Sequence, residues 1–313
     1  MDDDSASPNK DNLDNAYERL LTPGEVFGEY QILKCLSYTF LGALYEARKP
    51  HAQENELTYI IPNLKDENEG FIERYTPVVD KLIDLKHPNI LEAISHSVSD
   101  GHFSITHANN IGTTPKEFLL SAPSSRESNE AGATDNSINH ASLPLYVIKK
   151  FLSQILDGLG AAHKLNIFHL NLTPDNILVY PNNEVKLIGF GALSAMGDSK
   201  KDINIKTIEL LSHEAKLGQN QTAQCDVYAI GYLAYLLLSC IKPADNFIPL
   251  NILNSNLNSA WHEFVIKCMS RRRNERFSTT KAALQYLDNI DPFGTKEENE
   301  ADEKKLTAKS VNR

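Results

Sequence analysis

The twelve residues Val227–Leu238 carry no charge and present no polar stripe at helical spacing. A helix that is apolar all round has to be surrounded, either by protein or by lipid. The longest apolar stretch, Val227–Ile241, is too short to span a bilayer comfortably and reads as the buried central helix of a large core. With 313 residues, 41% hydrophobic and 23% charged, the chain has the means to build that core.

What comes before this helix narrows the architecture. Short apolar runs at Tyr30–Cys35, Leu44–Ala47, Tyr59–Ile61 and Phe103–Thr106 predict strands, interrupted by one helical stretch near Arg74–Leu85. From Pro144 onward helices dominate. Pro144 suits a first helical turn, and Val147, Ile148, Phe151, Leu152, Ile155, Leu156 and Leu159 follow at helical spacing. Asn176–Tyr180 and Val185–Ile188 flank Pro181-Asn182-Asn183 and predict a β-hairpin. A small β-rich part ahead of a large helical part implies two lobes.

Three segments lack core-forming content. Residues 1–14 hold five Asp against one Lys, and residues 1–21 are expected to be a disordered N-terminal segment. Residues 121–140 contain one Ile among small and polar residues and predict a flexible insertion. Residues 291–313 form a charged tail. The formal charge of −10 argues against a general electrostatic grip on nucleic acid or an anionic membrane. The acidic start, without an apolar run behind it, is not a secretory signal. Four scattered cysteines (Cys35, Cys225, Cys240, Cys268) form no metal-ligand pattern and suggest reduced thiols in a cytoplasm. His107, His163 and His213 likewise lack zinc spacing. Arg271-Arg272-Arg273 reads as a solvated turn.

The decisive motif is His169-Leu170-Asn171-Leu172-Thr173-Pro174-Asp175-Asn176-Ile177-Leu178, followed by the hairpin and Gly189-Phe190-Gly191. In this register the chain resembles the eukaryotic-like Ser/Thr protein kinases, particularly the bacterial ones, whose catalytic loop reads H-R-D-L-K-P-x-N and whose metal motif reads D-F-G. Ser212-His213-Glu214 resembles the A-P-E motif, Asp226 the core-anchoring Asp, Arg276 the partner of the A-P-E Glu, and His87-Pro88-Asn89-Ile90 the turn after helix αC. The resemblance runs from Thr22 to Leu287. It implies an α+β bilobal kinase-like fold over 22–290, with an N-lobe over 22–107 and a C-lobe over 108–290. His169, Phe190, Gly191, Glu214, Asp226 and Arg276 are its structural core.

The departures fall on the chemistry. Phosphoryl transfer needs cradled phosphates, bound metal and an oriented hydroxyl. Of the glycine-rich loop, Ser37, Thr39 and Gly42 remain as the counterpart, and only the last is glycine. The strand lysine falls on Pro62 and its αC glutamate on Val78, with Glu73 or Asp80 as substitutes if the helix register slips by a turn. Lys34 and Arg48 are the candidate replacement cations. The catalytic Asp is Asn171, which orients a hydroxyl but is no base at neutral pH. The neighbouring Lys is Thr173, and Leu170 replaces the Arg that reads a phosphorylated loop. Gly189 replaces the metal-binding Asp, leaving Asn176 as a residual metal or nucleotide contact beside its role as a prop of the loop.

Two functions stay open on this reading. In one, the chain is a pseudokinase, a cytoplasmic scaffold or allosteric regulator in signalling. It then acts on a protein partner such as an active kinase, has no intact catalytic residue, and needs neither metal nor cofactor. In the other, it is a divergent Ser/Thr kinase or nucleotide transferase with relocated residues. ATP and Mg²⁺ then enter only through residual binding.

Overall fold

The computed structural model describes residues 20–39, 41–61, 70–99, 102–108, 143–180, 183–197, 210–217, 221–243, 247–253 and 257–291. The N-terminal half is a six-stranded antiparallel sheet built from β1 (Val26–Phe27), β2 (Tyr30–Tyr38), β3 (Ala43–Arg48), β4 (Glu56–Ile61), β5 (Ala93–Ser99) and β6 (His102–His107). The strand order is β1-β2-β3-β4-β6-β5. Helix α1 (Phe71–Asp84) lies between β4 and β5 in the chain. Side chains alternate across a strand, and the two faces do different work. Leu44, Leu57, Tyr59, Ile61, Phe103 and Ile105 pack with Phe71, Tyr75, Val79 and Leu82 of α1. Ile32, Ala43, Tyr45 and Ile60 form a second cluster on the opposite face with Phe27 and Tyr30. Leu20 and Leu21 pack against that second cluster, and the Leu21 amide donates to the Tyr45 hydroxyl at 3.1 Å. The folded domain therefore begins inside the expected N-terminal segment.

The C-terminal half is helical. Its elements are α2 (Leu145–His163), the hairpin β7 (Ile177–Tyr180) and β8 (Glu184–Leu187), α3 (Ala192–Ala195), α4 (His213–Lys216), α5 (Ala223–Ser239), α6 (Leu250–Leu253), α7 (Ser259–Cys268) and α8 (Thr280–Asp288). Pro144 caps α2 from just outside, with φ −52° and ψ 137°, rather than occupying its first turn. Burial on every side of α5 matches its apolar sequence, with Trp261, Phe264 and Val265 of α7 in the same core. Helix α8 is tied to α2 by Lys149, whose ammonium donates to the Asp288 and Ile290 carbonyls at 2.9 and 2.7 Å. A cation there also opposes the negative end of the helix dipole.

The lobes are joined through the turn after α1. The Asn89 amide donates to the Val185 carbonyl at 2.9 Å and to Gln154 Oε1 at 3.0 Å, and Leu91 N donates to the Leu187 carbonyl at 3.0 Å. One hydrophobic core runs through both lobes. Strands β1 and β5 escape pattern reading, because two residues show no period and Ala-Ile-Ser-His-Ser-Val-Ser is mostly exposed. The insertion 121–140, most of the two terminal segments and Pro62 lie outside the described residues. No helix among the described residues is long and apolar enough to cross a membrane.

Candidate functional site: the cleft between the lobes

The loop leaving α2 is organised by one buried carboxylate. Asp226, in the first turn of α5, accepts from His163 Nε2 at 2.8 Å and from the backbone amides of His169 and Leu170 at 2.9 and 2.8 Å. Burial works to raise its pKa, but these hydrogen bonds and the neighbouring histidines hold it below the usual carboxylate range. The bond to Leu170 draws that residue to φ +56°, a left-handed conformation that costs about 1–2 kcal/mol. The His169 ring then packs on Phe190, with centroids 4.5 Å apart.

Beyond it the chain closes on itself. Thr173 N donates to the Asn171 carbonyl at 2.9 Å, Asn176 N to the Thr173 carbonyl at 3.0 Å, and the Asn176 side-chain amide to the Asn171 carbonyl at 2.8 Å. Ile188 N donates back to the Asn176 carbonyl at 3.1 Å. Asn176 is thus a structural brace of this loop. Gly189 follows at φ +79°, and a Cβ built there would stand 3.1 Å from Asn176 Oδ1.

The upper wall comes down onto this floor. Thr39 closes its own turn by accepting from the amides of Leu41 and Gly42 at 3.2 and 3.3 Å. The same hydroxyl lies 3.4 Å from the Tyr59 hydroxyl and, at 3.5 Å, receives the Asn171 side-chain amide from across the cleft. Leu41, Leu44, Ser37, Tyr59, Asn171 and Asn176 are all buried. Burial pushes the Tyr59 phenol up to about 12. A large ring and a threonine turn therefore occupy the space between β4 and the His169–Asn176 loop.

Helix α1 is held to the Gly-Phe-Gly segment and the turn after it by hydrogen bonds and close packing. The Tyr75 hydroxyl donates to the Phe190 carbonyl at 3.0 Å, and Arg74 Nε to the Ala195 carbonyl at 2.7 Å. A Cβ at Gly191 would meet Val78 Cγ1 at 2.7 Å, so glycine is needed there for Val78 to pack against the backbone. Glu73 and Asp80 are exposed, and Asp80 instead lies 3.0 Å from His96 Nε2. Lys34 is exposed, paired in register with Glu46, and Arg48 donates to Asn55 Oδ1 at 2.7 Å. On β4 the residues facing α1 are Leu57, Tyr59 and Ile61, so the last of these, one residue before Pro62, is what the strand presents there.

Away from the cleft, Arg276 forms a two-pronged pair with Glu214, at 2.5 Å (Nη1–Oε1) and 3.1 Å (Nη2–Oε2). It also donates to the Ser270 and Gln224 carbonyls. Burial works to raise the Glu214 pKa, but the guanidinium holds it below the usual range.

The protein kinase domain model matches residues 79–287, two-thirds of the chain. The chain belongs to the protein kinase domain family. A probable serine/threonine-protein kinase of Clostridium perfringens is 23% identical over 289 residues, which cover 85% of this chain and 39% of that protein. The serine/threonine-protein kinase PknL of Mycobacterium tuberculosis is 30% identical over 125 residues, 39% of this chain and 31% of PknL. This chain thus spans well under half of the curated relatives it matches. Among solved structures, the Mycobacterium tuberculosis PknI kinase domain superposes with a TM-score of 0.67 at 16% identity, covering 86% of this chain and 98% of that one. The kinase fold and its bacterial Ser/Thr kinase relatives agree with the order of elements above.

Within this kinase fold, the residues of the cleft floor do not fit Mg²⁺. Magnesium requires hard oxygen ligands and is usually held by carboxylates, whereas the floor offers the neutral amides of Asn171 and Asn176 beside Gly189. Above the floor, the Thr39 hydroxyl lies 3.4 Å from the Tyr59 hydroxyl and accepts from Asn171. Sequence reasoning singled out Asn171, Asn176 and Gly189 of the floor, but it missed Tyr59, Tyr75 and Arg74. The available signal was Tyr59 inside the apolar run of β4 and Tyr75 at helical spacing between Phe71 and Val79, because a buried phenol needs a hydrogen-bond partner.

Proposed function

We propose that this chain is a pseudokinase, a kinase-fold protein that transfers no phosphate and works by binding other proteins as a scaffold or allosteric regulator. The observation that carries the reading is the contact across the cleft, in which the Asn171 side-chain amide reaches the Thr39 hydroxyl and that hydroxyl lies 3.4 Å from the Tyr59 hydroxyl. Three catalytic needs are unmet at once. No carboxylate stands at 171 or 189, and no cation comes from β4. Penalties within one site do not add, yet the loss of metal, base and phosphate clamp together leaves no mechanism for transfer. The partner on this reading is a protein, such as an active kinase of the same pathway.

The test is a thermal-shift titration with ATP, with and without Mg²⁺ or Mn²⁺, followed by radiolabel transfer to a generic acceptor. The expected result is no metal-dependent shift and no label. A metal-dependent rise in melting temperature together with incorporated label would overturn the proposal and restore a divergent Ser/Thr kinase.

A further inference from the structure

Strand β5 ends the sheet, and among the described residues no strand lies on its outer side. Its sequence, Ala-Ile-Ser-His-Ser-Val-Ser, contains no Lys, Arg, Asp, Glu, Pro or Gly. Alternate residues of an edge strand turn unpaired N–H and C=O groups outward, and exposed edges are ordinarily guarded by charge, by proline or by a bulge. One guard is present. Pairing with β6 is irregular between Ala93 and Ser95, which bends the Ile94 end out of line. From Ser95 onward the ladder is regular, and Ser95, Ser97 and Val98 are exposed, Val98 to 48%.

The remaining stretch is self-complementary. We propose that this edge pairs, antiparallel, with β5 of a second copy of the chain, about a two-fold axis through Ser97. In that register Ser97 faces its own copy, His96 faces Val98, and Ser95 faces Ser99. Alternation collects the serine pairs on one face, where small hydroxyls permit close approach and cross-strand hydrogen bonds. The other face sets Val98 against the His96 ring. That ring is already fixed, stacked on Phe103 at 5.4 Å and 14° and held by Asp80 at 3.0 Å. A slip of one residue would set serines against His96 and Val98 and lose both matches. An axis through His96 would oppose two imidazoles and run into the bulge. The contact is isologous, so it closes as a dimer and uses up both edges. It is independent of whether the cleft binds nucleotide.

The full chain, 35.0 kDa, is run in sedimentation velocity over a concentration series, with two variants. The first carries Ser97→Cys in a Cys240→Ser background, which removes the exposed native thiol. Residues directly opposed in an antiparallel pair have Cα atoms about 4.5–5.5 Å apart, within the span of a disulfide. The second is Val98→Lys, an edge guard at an exposed position that leaves the thermal melt unchanged. The expected results are a wild-type dimer at twice the chain mass, a disulfide joining the two substituted 97 positions on oxidation, and a monomer for Val98→Lys. A wild-type monomer throughout overturns the proposal, as does a dimer that survives Val98→Lys or fails to link at position 97.

Discussion

On the proposed pseudokinase reading Gly189 stands where a metal-binding carboxylate would be, so Gly189→Asp and its control Gly189→Ala measure how much room the cleft has at that position. At φ +79° a residue with a Cβ is strained by about 1–2 kcal/mol. The new Cβ would also stand 3.1 Å from Asn176 Oδ1 and 3.3 Å from its Cγ and Nδ2. Asn176 cannot retreat freely, because its side-chain amide and its backbone hold the turn together. Gly189→Ala is therefore expected to cost about 2–3 kcal/mol. Gly189→Asp adds a carboxylate at a buried position whose nearest neighbour is a neutral amide, for a further loss of about 1–3 kcal/mol at neutral pH. Burial raises the folded-state pKa of such a group above its unfolded value of about 3.9. The folded state then binds the proton more tightly, so the Asp-specific penalty grows as pH rises above about 4 and shrinks toward acid. Urea unfolding of both variants at pH 7 and pH 5 reads the difference directly. Equal stability of the two variants at pH 7, or stabilisation of Gly189→Asp alone by Mg²⁺ with ATP, would refute the reasoning, since either means that the cleft still has room for the missing group.

Three further outcomes are expected. Arg276→Ala leaves Glu214 half-buried without its cation and removes two backbone contacts, so urea unfolding should show a loss of about 3–5 kcal/mol, and a loss under 1 kcal/mol would contradict this pairing. Burial holds His107 and His169 down to a pKa of about 4. Between pH 6.5 and 4 the unfolded chain takes up protons that the folded chain refuses, so stability should fall by up to about 3 kcal/mol per histidine as pH is lowered through that window. His107→Leu should remove about half of this pH dependence in urea titrations, and an unchanged slope would count against it. Pro77 sits on the exposed side of α1 and denies the Glu73 carbonyl its helical donor. Pro77→Ala should raise stability by about 1–2 kcal/mol after allowing for the freer unfolded chain, and a lower melting temperature would show the proline to be favourable where it stands.

How much was legible follows from the kind of signal each residue leaves. The all-round apolar run at Val227–Leu238 demanded a surrounding core, and α5 has one. The periodicity of Val147–Leu159 marked α2, because a helix buries one stripe. Asp226, Glu214 and Arg276 were readable from motif spacing, since a buried ion or anchor needs a partner of one chemical type at one place. Strand β5 was not readable, because an exposed edge of serines carries no hydrophobic alternation.

By itself, the sequence determined which groups stand at positions 171 and 189: side-chain chemistry is local, and an amide at 171 or a hydrogen at 189 is the same in any fold. Only the tertiary structure decided what meets them. Asn171 meets Thr39 across 132 residues of chain, and Tyr75 reaches Phe190 across 115. Such contacts depend on how a sheet, a helix and a loop are brought together, and no local pattern in any of the three segments encodes the other two.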